Sequence, residues 1–181
     1  MDPRVDMRGI VTVLNTPFDG RGDLDLPALA RHVRYALEAV LSTVARSRPV
    51  VAGVYADDAD ARLDLVRDYV SLGAQAVLVS IPFESADKLV AAVAEVASAG
   101  PELIMVQDWA PSGYGIPIEA IERLAREVPA FRSIKIEVAA SGVKYSEVLE
   151  HTRGSLHVAG GWAVTQMMEG LELGVNAFTP T

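Results

Sequence analysis

PVVAGVYADDADARLDLVRDYVSLGAQAVLVSIPF, residues 49–83, reads as a strand, a helix and a second strand. Val50–Val54 and Ala76–Ile81 are near-continuous apolar runs rich in β-branched residues. Such runs belong to parallel strands that are covered on both faces. Between them, Ala59–Leu72 mixes Ala, Leu and Val with Asp and Arg, the composition of an amphipathic helix, and Gly73 stands where a helix C-terminus is often capped.

The same unit recurs on both sides of this stretch. Further apolar runs are Gly9–Leu14, Leu103–Val106, Ser133–Ile136, Leu156–Ala159 and Ala177–Thr179. Helical segments are predicted at about Leu26–Ala39, Ala86–Ala99, Ile118–Glu127, Tyr145–Thr152 and Val164–Leu173. Asp25 before Leu26-Pro27 marks a helix start, and Gly174 follows a helix end. Val50, Val77 and Ile104 recur at a spacing of 27 residues. This regular alternation predicts an α/β fold of the TIM (β/α)8 barrel type. A doubly wound sheet is the structural alternative, but no GxGxxG follows the first strand.

The barrel count does not close. Seven strands are read where a barrel has eight, and a typical barrel runs to ~250 residues. The stretch from Leu26 to about Ala45 holds no strand, and Val40-Leu41 reads like the end of one helix joined to the end of another. Residues 1–181 are therefore expected to form a single barrel domain, incomplete after Val40, where a strand–helix unit is absent, and after Thr181, where a helical tail is absent.

Composition narrows the function classes. The chain has 181 residues, of which 50% are hydrophobic and 22% charged, with a formal net charge of −8. An acidic chain without a basic cluster is a poor ligand for nucleic acid, whose phosphates need Lys and Arg. There are no cysteines, which excludes a disulfide framework and a thiolate metal site. The polar opening MDPRVDMRG has no apolar signal core, and the apolar stretch Ala76–Phe83 is too short to span a bilayer. A cytoplasmic protein with a small-molecule partner is expected, without nucleic acid or membrane and without a cofactor.

Of the three lysines, Lys88, Lys135 and Lys144, only one sits inside a predicted strand. Lys88 and Lys144 are read as unremarkable helix lysines. Lys135 lies between Ile134 and Ile136, and side chains alternate across a strand. If the isoleucines face the covering helices, Lys135 faces the barrel interior with Ser133 and Glu137. Burial lowers an amine's pKa, and a neutral amine can attack a ketone to form an imine. The competing reading is a structural pairing of Lys135 with Glu137 or Asp108.

Gln107-Asp108-Trp109 follows the strand at Leu103–Val106, at the strand end where barrel enzymes place their chemistry. Asp108 can relay protons or bind a hydroxyl, with Gln107 beside it. A cap on the loop is the plainer reading. Tyr114 in the following loop is a further candidate for the mouth. Gly160-Gly161-Trp162 lets backbone approach a ligand, or is a plain turn. Thr16 ends the first strand and Thr179 the last, and both are taken as substrate contacts together with Glu137. His157 is read as packed or outward-facing, and His32 and His151 as solvated. No HxH or HExxH spacing supports a histidine metal site. A metal-assisted alternative would use Asp108 and Glu137 as carboxylate ligands for Mg²⁺ or Mn²⁺, with Lys135 as base.

The ordered set of motifs resembles the dihydrodipicolinate synthase/N-acetylneuraminate lyase family. TPFDGRGDLDLPALARHVRYALEAV at Thr16–Val40 is similar to that family's opening. So are PVVAGV at Pro49–Val54, GAQAVLVSIPF at Gly73–Phe83, the SIKIE strand and the AGGW turn. The resemblance implies an eight-stranded barrel, a Schiff-base lysine at Lys135, pyruvate or a related 2-keto acid as reactant, and homodimers or homotetramers. Two departures bear on activity. The Gly-Thr/Ser-Thr-Gly-Glu motif that binds the keto-acid carboxylate in the family is absent, and the gap falls at Val40-Leu41. Anchored on Pro111, Asp108 (or Val106, if a gap is placed differently) takes the place of the family's proton-relaying tyrosine, and Gly113 that of its carboxylate-clamping arginine. The expected activity is a lyase or aldolase, or a related synthase or dehydratase, acting on a 2-keto acid. A non-catalytic homologue or fragment is the other alternative.

Overall fold

The computed structural model describes residues 9–10, 17–23, 25–43, 51–56, 58–71, 74–175 and 177–179. Strands and helices alternate: β1 (Gly9–Ile10), α1 (Leu26–Thr43), β2 (Val51–Val54), α2 (Ala59–Ser71), β3 (Ala76–Ser80), α3 (Ala86–Ser98) and β4 (Leu103–Ala110) come first. They are followed by α4 (Ile118–Glu127), β5 (Phe131–Val138), α5 (Ser141–His151), β6 (His157–Gly160), α6 (Ala163–Glu172) and β7 (Ala177–Phe178). All pairings are parallel, and the sheet order is β1-β7-β6-β5-β4-β3-β2. That is the strand cycle of a barrel with one position open. The first strand meets the last, as it does when a barrel closes, while β1 and β2 share no ladder among the described residues. The open position lies where the sequence reading lacks a strand–helix unit.

The sheet has two different faces, as alternation requires. Val77, Val79, Ile104, Val106, Ile134, Ile136 and Val138 point outward and pack under the helices with Leu63, Val66, Leu89, Val93, Ile121, Leu124 and Val148. The inner face carries a smaller cluster of Ala76, Leu103, Met105, Ala159 and Ala177, with Val51 and Leu78 against it. Gln107, Lys135 and Glu137 follow on the same face towards the C-terminal mouth.

Helix starts and stops follow the sequence. Asp25 Oδ1 accepts from Ala28 N at 2.8 Å, and Ser85 Oγ accepts from Lys88 N at 3.3 Å. Gly174 ends α6 with φ +94°, where an L side chain would be strained. Val11–Leu14, Thr16 and Gly73 lie outside the described residues.

Among the boundaries that differ from the sequence reading, two bear on the site. Leu103–Val106 does not end β4: the ladder with β5 runs on through Gln107↔Lys135, Asp108↔Ile136 and Trp109↔Glu137. The polar residues still alternate, so pairing with the equally long β5 outweighs their low strand propensity. α5 begins at Ser141 and not at Tyr145, with Lys144 N donating to Ala140 O and Ser141 Oγ to Val138 O. Among the described residues no helix is long and apolar enough to cross a membrane.

Candidate active site

Lys135 sits at mid-height on the inner face of β5. Its outward neighbours Ile134 and Ile136 are in the helix-side core, so Lys135 points inward with Ser133 and Glu137, as the alternation predicts. It is fully buried. On one side its register partner is Gln107, and on the other Ala159, which in turn faces Ala177. Its neighbours across the sheet are therefore a glutamine on one side and two alanines in a row on the other.

Lys135 Nζ lies 3.3 Å from Glu137 Oε1 and has no aligned hydrogen-bond partner among the described residues. The pairing with Glu137 that the sequence left open is present, and the one with Asp108 is not. Burial holds the amine's pKa below the usual lysine value, and the negative charge of Glu137 opposes that shift without cancelling it. Glu137 also accepts from Gln107 Nε2. A Cβ on Gly161 would overlap the Glu137 side chain, so only glycine lets the carboxylate lie across that position. Thr179 is buried on the last strand, with its N–H donating to Gly160 O at 2.9 Å and its Oγ1 without a hydrogen-bond partner among the described residues.

Other predicted residues take different places. Gly160 faces the helices: a Cβ there would come within 2.8 Å of the Phe178 ring and of Tyr145 Oη. His157 is half-buried, with Nδ1 2.7 Å from Ser133 Oγ, two residues below the lysine. Asp108 points to the outer face of β4, away from Lys135. Its Oδ1 accepts from Ile116 N at 2.8 Å, and its Oδ2 lies 3.2 Å from Lys144 Nζ. Asp108 and Glu137 are thus on opposite faces of the sheet. No group of three or more potential metal ligands occurs among the described residues.

Lys144 is the residue that the sequence reading passed over. It is fully buried in the first turn of α5. Its ammonium donates to Tyr114 O at 3.0 Å and to Ile116 O, pairs with Asp108, and lies 3.8 Å from the centre of the Tyr114 ring. Tyr114 is thereby turned towards α5, where its hydroxyl donates to Glu147. Burial lowers the Lys144 pKa, against the charge of Asp108, and raises that of Asp108, against the charge of Lys144. The signal for Lys144 was helical spacing: Ser141, Lys144, Tyr145, Val148 and Thr152 form the buried stripe once α5 starts at Ser141.

At the C-terminal ends of β3 and β4 opens a cavity of about 450 Å³, lined by Ser80, Pro82, Phe83, Gln107, Trp109 and Gly115 among others. It shares the Gln107 wall with the Lys135 site.

No family model matches the chain, and no curated protein matches it. Solved structures do. A dihydrodipicolinate synthase from Bacillus anthracis is 21% identical with a TM-score of 0.71, over 97% of this chain and 70% of that one. An N-acetylneuraminate lyase from Proteus mirabilis is 14% identical with a TM-score of 0.75, over 96% of this chain and 70% of that one. A 2-keto 3-deoxygluconate aldolase from Picrophilus torridus is 17% identical with a TM-score of 0.70, over 96% of this chain and 73% of that one. The chain therefore has a partial TIM barrel with the fold of the dihydrodipicolinate synthase and N-acetylneuraminate lyase structures, the group that its sequence resembles.

Proposed function

We propose that the chain is a lyase or aldolase that acts on a 2-keto acid such as pyruvate through an imine on Lys135. The observation that carries this reading is the contrast between the two buried lysines. Lys144 spends its ammonium on two carbonyls and a carboxylate, as a structural cation does. Lys135 has a single carboxylate at 3.3 Å, a lowered pKa and small residues beside it. An amine that is buried without full hydrogen bonding is costly to keep, and it is suited to nucleophilic attack.

In this reading neutral Nζ adds to C2 of the keto acid, and the carbonyl oxygen leaves as water. The protonated imine then draws electrons from the C3–C4 bond. A C4 hydroxyl gives up its proton, an aldehyde departs, and an enamine remains. Protonation at C3 and hydrolysis release the shortened keto acid, pyruvate, and the free lysine. Loss of a C3 proton and of a C4 hydroxyl as water is the carbon–oxygen counterpart. Glu137 is the nearest carboxylate for these proton transfers, Gln107 orients it, and Thr179 Oγ1 offers a buried hydroxyl to the substrate. No cofactor is required. The same reading takes the protein as a cytoplasmic homodimer or homotetramer, which light scattering would test.

The metal-assisted alternative loses support from the opposed directions of Asp108 and Glu137. The test of the imine is intact mass before and after borohydride treatment with pyruvate, followed by peptide mapping. The expected result is a reduced pyruvyl adduct on Lys135 that Lys135→Ala and Lys135→Arg abolish. An adduct that persists in those variants, or no adduct with any 2-keto acid, would overturn the proposal.

A further inference from the structure

We propose that the cavity at the ends of β3 and β4 is the subsite for the distal part of the keto acid, and that it selects an uncharged chain over one carrying a second carboxylate. This rests on the imine reading of Lys135. Gln107 joins the two places: it lines the cavity and is the strand neighbour of Lys135. Neighbouring strands lie about 4.8 Å apart, so a keto acid held on Lys135 needs only its next few carbons to enter. About 450 Å³ is an ordinary volume for a small-molecule site.

The lining decides the chemistry. Pro82, Phe83 and Trp109 present apolar surface, while Ser80 and Gln107 offer neutral hydrogen-bonding groups. No Lys or Arg is among the described residues that line it. The one charged group among those described residues, Asp108, is held by Lys144 and by the Ile116 N–H. Lys144 cannot serve a ligand, because its ammonium already has three partners. A second carboxylate entering this cavity would be desolvated with no cation among the described lining residues to receive it. A hydroxyl or short alkyl chain meets no such cost.

The test compares 2-ketobutyrate with 2-ketoglutarate in adduct formation on Lys135, trapped with cyanoborohydride at subsaturating concentration. The expected result is faster trapping of 2-ketobutyrate, by about ten-fold or more. Trp109 is 61% exposed, so Trp109→Arg places a cation at the rim at little risk to the fold. That variant is expected to shift the ratio towards 2-ketoglutarate, with circular dichroism unchanged. Equal trapping of the two acids by the wild type, or an unmoved ratio in folded Trp109→Arg, would overturn the subsite and leave the imine standing. Absence of every adduct, pyruvate included, would remove both.

Discussion

At the scale of single residues, burial by itself does not separate the two lysines, since both are fully enclosed. Their partners do. Lys135 was legible because Ile134 and Ile136 bracket it in a strand, and alternation then fixes its direction. Lys144 was not legible, because its burial depends on where α5 begins, and helix ends are the least certain part of a sequence reading. The lowered pKa of Lys135 has a kinetic consequence. Raising the pH removes the proton, so the trapping rate should climb with pH and level off below the usual lysine value of 10.5. Glu137 is what opposes the shift, by favouring the ammonium. Glu137→Gln should therefore move the inflection to lower pH while slowing turnover, because the proton carrier is lost. Initial trapping rates against pH for the two proteins check this. An inflection that stays in place would mean that Glu137 does not act on the amine.

Elements show why the Asp108 assignment changes. The sequence placed Gln107-Asp108-Trp109 after a strand, where all three side chains could turn to the mouth. Inside β4 they must alternate, so Gln107 and Trp109 share the inner face and Asp108 is sent outward to α5. There Asp108 and Lys144 clamp the β4–α4 connection: one carboxylate oxygen takes the Ile116 N–H, and the ammonium takes the Tyr114 and Ile116 carbonyls. Gly115 threads this clamp with φ +80°, and a Cβ there would overlap the Asp108 carboxylate. Removing one partner leaves an uncompensated buried charge, which typically costs about 3–5 kcal/mol. Lys144→Met alone and Asp108→Leu alone should each lose stability on that scale in urea unfolding. The pair together should lose much less than the sum, because no lone charge remains. Additive losses would show that the two groups do not act as a unit.

Across the whole molecule, the strand order carries most of what the sequence made legible. Alternating apolar runs and amphipathic segments identify parallel strands, and even the open barrel position could be placed from the missing run after Val40. Which polar side chains meet was less legible, since it depends on register between strands about 30 residues apart, as for Gln107 and Glu137. The open position also divides the sheet by stability. Among the described residues β4 and β5 are the longest strands, eight residues each, and both are flanked by neighbours and covered by helices. β2 has four residues and pairs only with β3 among the described residues. Local opening costs least where few partners must be given up. Hydrogen exchange read by mass spectrometry should thus find peptides from β4 and β5 exchanging at the rate of global unfolding, and those from β2 exchanging faster. If β2 proves as protected as β5, its outer edge is paired in solution. The site on β5 would then sit in a closed barrel.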